Sequence, residues 1–181
     1  MVEAAELRAA AFARLDWSAL SAGPRSQGRV ELIVCRLARE GRSCPESVEL
    51  SPEAGVLGDR WAAAARPKRA AQVALINAAV ARVIADRERW DLFGDNFVVD
   101  FDLREQSAPP GTLLELGSAL IEVTAEPHLG CGKFRRRFGS EALAVVNDEA
   151  RRDLKLRGVY ARVVRGGRVA LGDLLRRAIV T

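Results

Sequence analysis

The spacing of apolar residues in the first half of the chain predicts one helical segment followed by short strands. Leu7, Ala11 and Leu15 recur at helical intervals within residues 1–21, and Gly23-Pro24 is expected to end that segment. Four stretches rich in β-branched and other apolar residues are predicted to be strands, at residues 28–37, 47–50, 72–76 and 97–101.

Helical composition returns at two further places. Asn77 is expected to cap a helix over residues 78–90, because its side chain can accept hydrogen bonds from the first free N–H groups. Residues 140–155 form the second helical stretch. Residues 62–69, composed of alanine, arginine, proline and lysine, are expected to form a mobile surface loop.

From residue 110 onward the pattern favours β-structure. Strands are predicted at residues 112–116, 119–124, 159–164 and 169–171. Gly117-Ser118 and residues 165–168 separate these strands in pairs and predict two hairpins. Many short strands with few helices predict a mainly β fold, a β-barrel with peripheral α-helices. We assign residues 1–27 to an N-terminal helical extension and residues 28–181 to the barrel domain.

Composition and charge narrow the class of protein. The 181 residues are 49% hydrophobic, which fits one folded domain. Lysine and arginine number 28 against 24 acidic residues, giving a formal net charge of +4. The basic residues are scattered among acids, which argues against a nucleic-acid surface. Because the chain has no long apolar run and an acidic start, we expect a soluble, cytoplasmic protein without a membrane association.

Cys131 is the strongest candidate for chemistry. The chain has three cysteines, an odd number without a CxxC pair, and one histidine, which disfavours disulfides and a structural zinc site. Cys131 lies between Gly130 and Gly132 and shortly before a run of cations that begins with Lys133, and nearby positive charge favours the reactive thiolate. His128, three residues earlier, is a candidate base or supporting residue. Cys35, by contrast, lies in an apolar run typical of a buried thiol.

Several short motifs occur in a fixed order along the chain. They are Gly58-Asp59-Arg60, Gln72-Val73-Ala74-Leu75-Ile76, Gly94-Asp95-Asn96-Phe97, residues 110–117, residues 128–134, Arg137-Phe138-Gly139, residues 157–161, Gly166-Gly167 and Gly172-Asp173. No single motif is specific, but the ordered series resembles the MOSC family, named for the C-terminal domain of molybdenum cofactor sulfurases. The resemblance covers about residues 28–176.

This resemblance implies a β-barrel and sulfur or molybdenum-cofactor chemistry centred on Cys131. In one interpretation Cys131 carries or transfers sulfur as a persulfide, with a desulfurase as a possible sulfur donor, or acts on a carbon–sulfur or metal–sulfur substrate. In the alternative, Cys131 ligates the molybdenum of a bound molybdopterin in a reductase of N-hydroxylated compounds. A third interpretation is a non-catalytic module that binds a small anion.

The resemblance also implies which side chains line the pocket for a small molecule or a pterin. They are Arg60, Asp59, Asn96, Lys133 and Arg157, with His128 beside Cys131. Asp59 is expected to hold Arg60 in place by a charged hydrogen bond, and Arg60 and Arg157 are expected to face the same cavity as Cys131.

Two positions depart from the family pattern, and one cofactor is not supported. Trp61 stands where the family often has histidine, so this position lacks the imidazole that would make a polar contact to the cofactor. Gly130 stands where it often has proline, which questions the rigidity of the cysteine loop. No lysine can be assigned to pyridoxal phosphate, so the chain is expected to obtain sulfur from another protein.

Overall fold

Seven strands close into a barrel in the computed structural model of the chain, which describes residues 2–179. The barrel strands are β1 (Gln27–Ile33), β6 (Val73–Asn77), β7 (Phe97–Asp100), β8 (Leu113–Leu116), β9 (Ala119–Val123), β10 (Val159–Arg165) and β12 (Leu174–Arg177). Their order around the barrel is β1-β12-β8-β9-β10-β6-β7. Neighbouring strands are antiparallel except β6 and β7, which are parallel. The expected mainly β fold is therefore confirmed.

Five further strands of the described residues lie outside the barrel. They are β2 (Cys35–Arg36), β3 (Arg42–Ser43), β4 (Ser47–Ser51), β5 (Gly55–Val56) and β11 (Gly167–Ala170). Strands β2 and β3 form a small hairpin, and β11, β4 and β5 form a three-stranded sheet.

The hairpin predicted at residues 165–168 is wrong, whereas the one at Gly117-Ser118 is confirmed. Strand β10 pairs with β9 and β6, but β11 pairs with β4. At Gly166 and Gly167 the chain passes so close to other backbone that an added Cβ would lie 2.8 Å from the Leu50 oxygen and 2.6 Å from the Ser118 carbonyl carbon. These glycines therefore let the chain change sheets instead of turning back.

Within residues 2–179, five α-helices flank the barrel, and several differ from their predicted extent. They are α1 (Val2–Ala13), α2 (Trp17–Ser21), α3 (Ala78–Ile84), α4 (Gly132–Phe138) and α5 (Ser140–Val146). Asn77 caps α3 as predicted, since its Oδ1 accepts from the N–H of Ala79 at 2.7 Å. The helix stops at Ile84, however, because Ala85 is extended and the Trp90 indole donates to its carbonyl at 3.0 Å.

The remaining helical turns are of the 3₁₀ type. They cover Ala38–Glu40, Arg69–Ala71, Arg87–Phe93 and Glu149–Leu154. The helix predicted over residues 140–155 is therefore split between α5 and a 3₁₀ segment. Helix α4, which directly follows Cys131, was not expected from the sequence. Within the described residues no helix has both the length and the apolar character needed to cross a membrane.

Two apolar cores position the site. The barrel interior holds Leu75, Phe97 and Ile121, none of them exposed. The outward residues Ile76 and Val98 pack instead under the helices, in a second core. Both faces of β6 and β7 are therefore buried, which explains why their sequences are continuously apolar. Burying each such side chain stabilises the fold by about 1.5–3 kcal/mol.

Candidate functional site

Cys131 is exposed at the start of α4, in an extended conformation immediately before the first helical residue. Of the other two cysteines, Cys35 is buried in the barrel core and Cys44 is exposed near the β2–β3 hairpin. The two glycine neighbours and the helix start therefore leave the Cys131 thiol accessible.

The surroundings of Cys131 favour its thiolate. Partial burial would raise the pKa of Cys131, but the backbone N–H groups of Phe134 and Lys133 and the charges of Arg157 and Arg137 outweigh it and lower the pKa below its ordinary value. Burial acts in the opposite direction on the other two thiols. It raises the pKa of Cys35, assisted by Asp59, and that of Cys44, assisted by Asp91.

The loop before Cys131 is held by Asn147, at the end of α5. The Gly130 N–H donates to Asn147 Oδ1 at 2.7 Å, and Asn147 Nδ2 donates back to the Gly130 carbonyl at 3.0 Å. A Cβ on Gly130 would lie 2.6 Å from Leu143 Cδ1, so a larger residue would push the loop away from α5. Asn147 thus holds the cysteine loop in place, although Gly130 stands where the family often has proline.

A buried ion pair lies close behind the cysteine. Arg157 Nη1 is 2.6 Å from Asp95 Oδ2, and its Nη2 donates to the Phe93 carbonyl at 2.8 Å. Gly158 makes this placement feasible, because it has φ +99° and an added Cβ would lie 2.0 Å from the Leu75 carbonyl oxygen. Burial raises the pKa of Asp95 against the opposing charge of Arg157.

His128 points inward toward this ion pair rather than outward. Its side chain is 3% exposed, its Nε2 lies 3.6 Å from Asp95 Oδ1, and its ring packs on Tyr160 with centroids 4.0 Å apart. Burial, together with the charges of Arg157 and Arg36, lowers the pKa of His128 well below its ordinary range, so the ring is neutral near pH 7. Its position suits it to support the site from behind.

Three buried polar atoms of this group have no hydrogen-bond partner among the described residues. They are Asp95 Oδ1, His128 Nδ1 and Arg157 Nε. Unpaired buried polar atoms are rare in proteins and costly. Their concentration in one cluster next to Cys131 is typical of a functional centre rather than of a packed core.

Asp59 and Asn96 form a structural network, which corrects two expectations. Asp59 binds the guanidinium of Arg36, with its Oδ2 2.9 Å from Nε, and does not hold Arg60. Burial would raise the pKa of Asp59, but its bonds to Arg36 lower it. Asn96 is fully buried, accepts from Ala74 N at 3.1 Å and donates to Asp59 at 3.0 Å. The amide oxygen and the amide nitrogen of Asn96 are both engaged inside the protein, so Asn96 supports the network around Asp59 instead of offering a free polar group to a pocket.

Several cations lie near one another around helix α4 and strand β3. Lys133 and Arg137, both on α4, form salt bridges with Glu40. Arg60 is exposed. The burial of Arg42 lowers the pKa of Arg42, and the positive charges of Arg137 and Arg60 lower it further. We call Arg42, Arg60, Lys133 and Arg137 the cationic patch.

A cavity of about 260 Å³ is lined in part by the 125–129 segment that precedes the cysteine loop. Its lining includes His128, Leu129, Asn147, Leu156, Arg157 and Val159. Cys131 and Arg60 are not among the described residues that line it, so the expectation that one cavity takes Cys131, Arg60 and Arg157 is wrong for this cavity. Arg157 and His128 do line it, although Cys131 does not.

Sequence reasoning did not assign Arg36, Asp95 or Glu40 to the site. Arg36 carried a usable signal, since a charged residue directly after the apolar run of β1 needs a buried partner. Asp95 was visible only as a turn residue, because sequence does not show that its turn is buried. Glu40 carried no local signal, because its partners lie 93 and 97 positions further along the chain, at Lys133 and Arg137.

Comparison with known proteins supports the same fold. The family model of the MOSC domain matches residues 58–176. The YuaD protein of Bacillus subtilis has 16% identity and a TM-score of 0.61, over 87% of this chain and 100% of that chain. YiiM of Escherichia coli has 20% identity and a TM-score of 0.55, over 84% and 71% of the two chains. YiiM of Geobacillus stearothermophilus has 15% identity and a TM-score of 0.53, over 84% and 75%.

At these identities the similarity to the solved structures establishes the fold alone. The search of curated proteins returned no match. The family model spans well over half of the chain and includes Arg60, Asn96, Cys131 and Arg157.

Proposed function

Because this chain belongs to the MOSC domain family, we propose that Cys131 is a nucleophilic thiolate that accepts, holds and transfers a sulfur atom. The observation that carries the proposal is the contrast between the three thiols. Cys131 is exposed and has a lowered pKa, whereas burial raises the pKa of both Cys35 and Cys44. The thiolate is the form that attacks sulfur.

The proposed step is a sulfur transfer from a persulfide donor, which is either a protein such as a desulfurase or a small molecule. The Cys131 thiolate attacks the outer sulfur of the donor persulfide, the donor S–S bond breaks, and the donor leaves as a thiolate. The proton stays on the transferred sulfur, so Cys131 ends as a persulfide. The Cys131 thiolate is stabilised by Arg157 and Arg137 and by the N–H groups of Lys133 and Phe134.

Intact-mass measurement after incubation with a small-molecule persulfide tests the proposal. We expect a mass increase of one sulfur in the Cys44→Ser variant, removed by a reducing thiol, and no increase in Cys131→Ser. These two variants are matched, because each keeps one exposed cysteine. Equal sulfur uptake by both, or uptake only at Cys44, contradicts the proposal.

A molybdenum cofactor is the second candidate, and the residues around Cys131 fit it. Cys131 offers an exposed thiolate ligand, and Arg60 is an exposed cation for a pterin phosphate. Lys133 is exposed as well but pairs with Glu40, and Arg157 is buried in its pair with Asp95. The described residues hold no group of three or more His, Cys, Asp or Glu side chains placed for a metal. The protein would therefore supply Cys131 as one ligand.

When bound, such a cofactor would supply two-electron redox chemistry for N-hydroxylated compounds. Metal analysis of protein expressed with molybdate separates the two candidates. Molybdenum present in the wild type and lost in Cys131→Ser favours the reductase, whereas sulfur uptake in metal-free protein favours the sulfur carrier. A chain that does neither is left as a small-anion-binding module.

A further inference from the structure

Glu40 is an exposed carboxylate that bridges two cations on the helix of Cys131. Its Oε1 lies 2.7 Å from Lys133 Nζ and its Oε2 lies 2.7 Å from Arg137 Nη2. Lys133 follows Cys131 by two residues, and the charge of Arg137 acts on the Cys131 thiol. The carboxylate is thus bound by two cations of the helix that begins directly after the candidate nucleophile.

The two cations need an anion between them. Lys133 and Arg137 are four residues apart in α4, and like charges at this spacing repel each other on one helix face. Both side chains lean toward the N-terminus of the helix, which is where Cys131 lies. An oxyanion held by both cations removes the repulsion, and Glu40 supplies one.

The cationic patch has more positive charge than Glu40 neutralises. Arg42 donates only to backbone carbonyl groups, those of Asp91, Glu40 and Gly41. Arg60 forms no salt bridge with any described residue. Four cations therefore share one directly bound carboxylate, and the patch retains attraction for a further anion.

The segment that carries Glu40 is suited to being displaced. Arg39 and Glu40, between β2 and β3, have φ values of 51° and 62°, which non-glycine residues seldom adopt. Glu40 and Lys133 are close to half exposed, at 44% and 46%. The Glu40–Lys133 pair is therefore weak, because water competes for both partners. Arg137 is only 16% exposed and remains in place as a cation when its carboxylate partner is exchanged. A stronger or better-placed oxyanion can replace this carboxylate without unfolding anything.

We propose that Lys133 and Arg137 form an oxyanion subsite beside Cys131 for the acidic group of a small-molecule substrate, and that Glu40 occupies this subsite as an internal competitor until the substrate displaces it. The proposal rests on the proposed role of Cys131 as a nucleophile. The ligand class is a small molecule with a carboxylate, sulfonate or phosphate a few bonds from the atom that Cys131 attacks. The hydrogen bonds and charges of Lys133 and Arg137 lower the pKa of Glu40 to about 2, so the competitor is ionised throughout the neutral range.

Alkylation of Cys131 by an anionic and a neutral reagent measures the subsite. In a Cys44→Ser background, the alkylation rates of Cys131 by iodoacetate and by iodoacetamide are measured by intact mass at constant ionic strength. The ratio of the two rates cancels changes in thiol reactivity and reports attraction of the anion. We expect Glu40→Gln to raise the ratio on the order of fivefold, because it removes the repulsion between the Glu40 carboxylate and iodoacetate. A fivefold change is roughly what one unit charge at about 4 Å in water produces.

Asp91→Asn is the matched control. Asp91 acts on Arg42 by its charge but forms no salt bridge with Lys133 or Arg137. Its ratio should change less than about twofold. Sulfate, titrated against chloride, should lower the ratio saturably in Glu40→Gln, and phosphate should do the same. Lys133→Met in the wild-type Glu40 background should lower the ratio and remove protection by sulfate.

The outcomes separate this proposal from the proposed function. Equal ratios in Glu40→Gln and Asp91→Asn, or a sulfate effect that follows ionic strength without saturating, overturn the subsite. Should Glu40→Gln fail to fold in a thermal melt, an unchanged ratio in Lys133→Met overturns it instead. If Cys131 reacts no faster than Cys44 with neutral iodoacetamide, the nucleophile proposal fails first, whatever the ratios are.

Discussion

Asp95 and Arg157 form a buried ion pair, with 2.6 Å between Oδ2 and Nη1 and side chains that are 0% and 7% exposed. The pair joins the turn before β7 to the start of β10. Arg157 also lies over the Phe134 ring of α4, 5.2 Å from its centroid. Barrel, turn and cysteine helix are therefore connected through one guanidinium group.

Removing the charge of Asp95 should be strongly destabilising. Asp95→Asn leaves Arg157 buried without its counter-charge, which we expect to lower the free energy of unfolding by about 3–5 kcal/mol in urea titrations. The double variant Asp95→Asn/Arg157→Met should recover part of this loss. The partly exposed pair Glu105–Lys155 is the control, since Glu105→Gln should change stability by less than about 1 kcal/mol. If Asp95→Asn and Glu105→Gln lowered the free energy of unfolding by similar amounts, the assignment of Asp95 and Arg157 as a buried ion pair would be wrong.

The thiols should differ in the pH at which they react. Cys131 has a lowered pKa and Cys44 a raised one, relative to an ordinary value of 9.0. Iodoacetamide rates between pH 6 and 10 should therefore reach half their maximum below pH 9.0 in Cys44→Ser and above it in Cys131→Ser. A reversed order of the two midpoints contradicts the electrostatic account of Cys131.

Asn147 should control both stability and the cysteine loop. Asn147→Ala removes two hydrogen bonds to Gly130, and we expect a loss of about 1–2 kcal/mol in the free energy of unfolding. Asn147→Asp keeps an acceptor for the Gly130 N–H but loses the donor, so it should lie between alanine and the wild type. The alkylation rate of Cys131 should differ from that of the wild type most in Asn147→Ala and less in Asn147→Asp. A stability equal to that of the wild type in Asn147→Ala argues against the clamp.

His128 should make the protein less stable in mild acid. Its folded pKa is lowered well below 6.5, so as the pH falls below 6.5 the unfolded chain binds a proton that the folded chain does not. Stability should therefore decrease with falling pH, by up to about 1.4 kcal/mol per pH unit. His128→Phe keeps a ring against Tyr160 and removes the titration.

Urea titrations at pH 7.5, 6.5 and 5.5 check this prediction. The chain has one histidine, so the difference between wild type and His128→Phe isolates its contribution. We expect the stability gap to change in favour of the variant as the pH falls. Parallel stability curves would show that His128 titrates normally.

Local features of the site followed from local sequence, and features that depend on distant contacts did not. The glycines around Cys131, the following cations and the Asn77 cap act over a few residues, so periodicity and motif order predicted them. The 78–90 helix was overextended because its end depends on where Trp90 is buried, and α4 was missed. The predicted 165–168 hairpin failed because pairing partners are chosen across the whole sheet.

The sequence by itself determined a barrel rich in short strands and an accessible cysteine between glycines. Its ordered motifs also indicated membership of the MOSC domain family. Only the tertiary structure decided which charges meet. Asp59 binds Arg36 instead of its neighbour Arg60, Asp95 meets Arg157, and Glu40 bridges Lys133 and Arg137. The physical reason is that ion pairing depends on distance and burial in space. Both are set by barrel closure, which brings residues dozens of positions apart to within hydrogen-bonding distance.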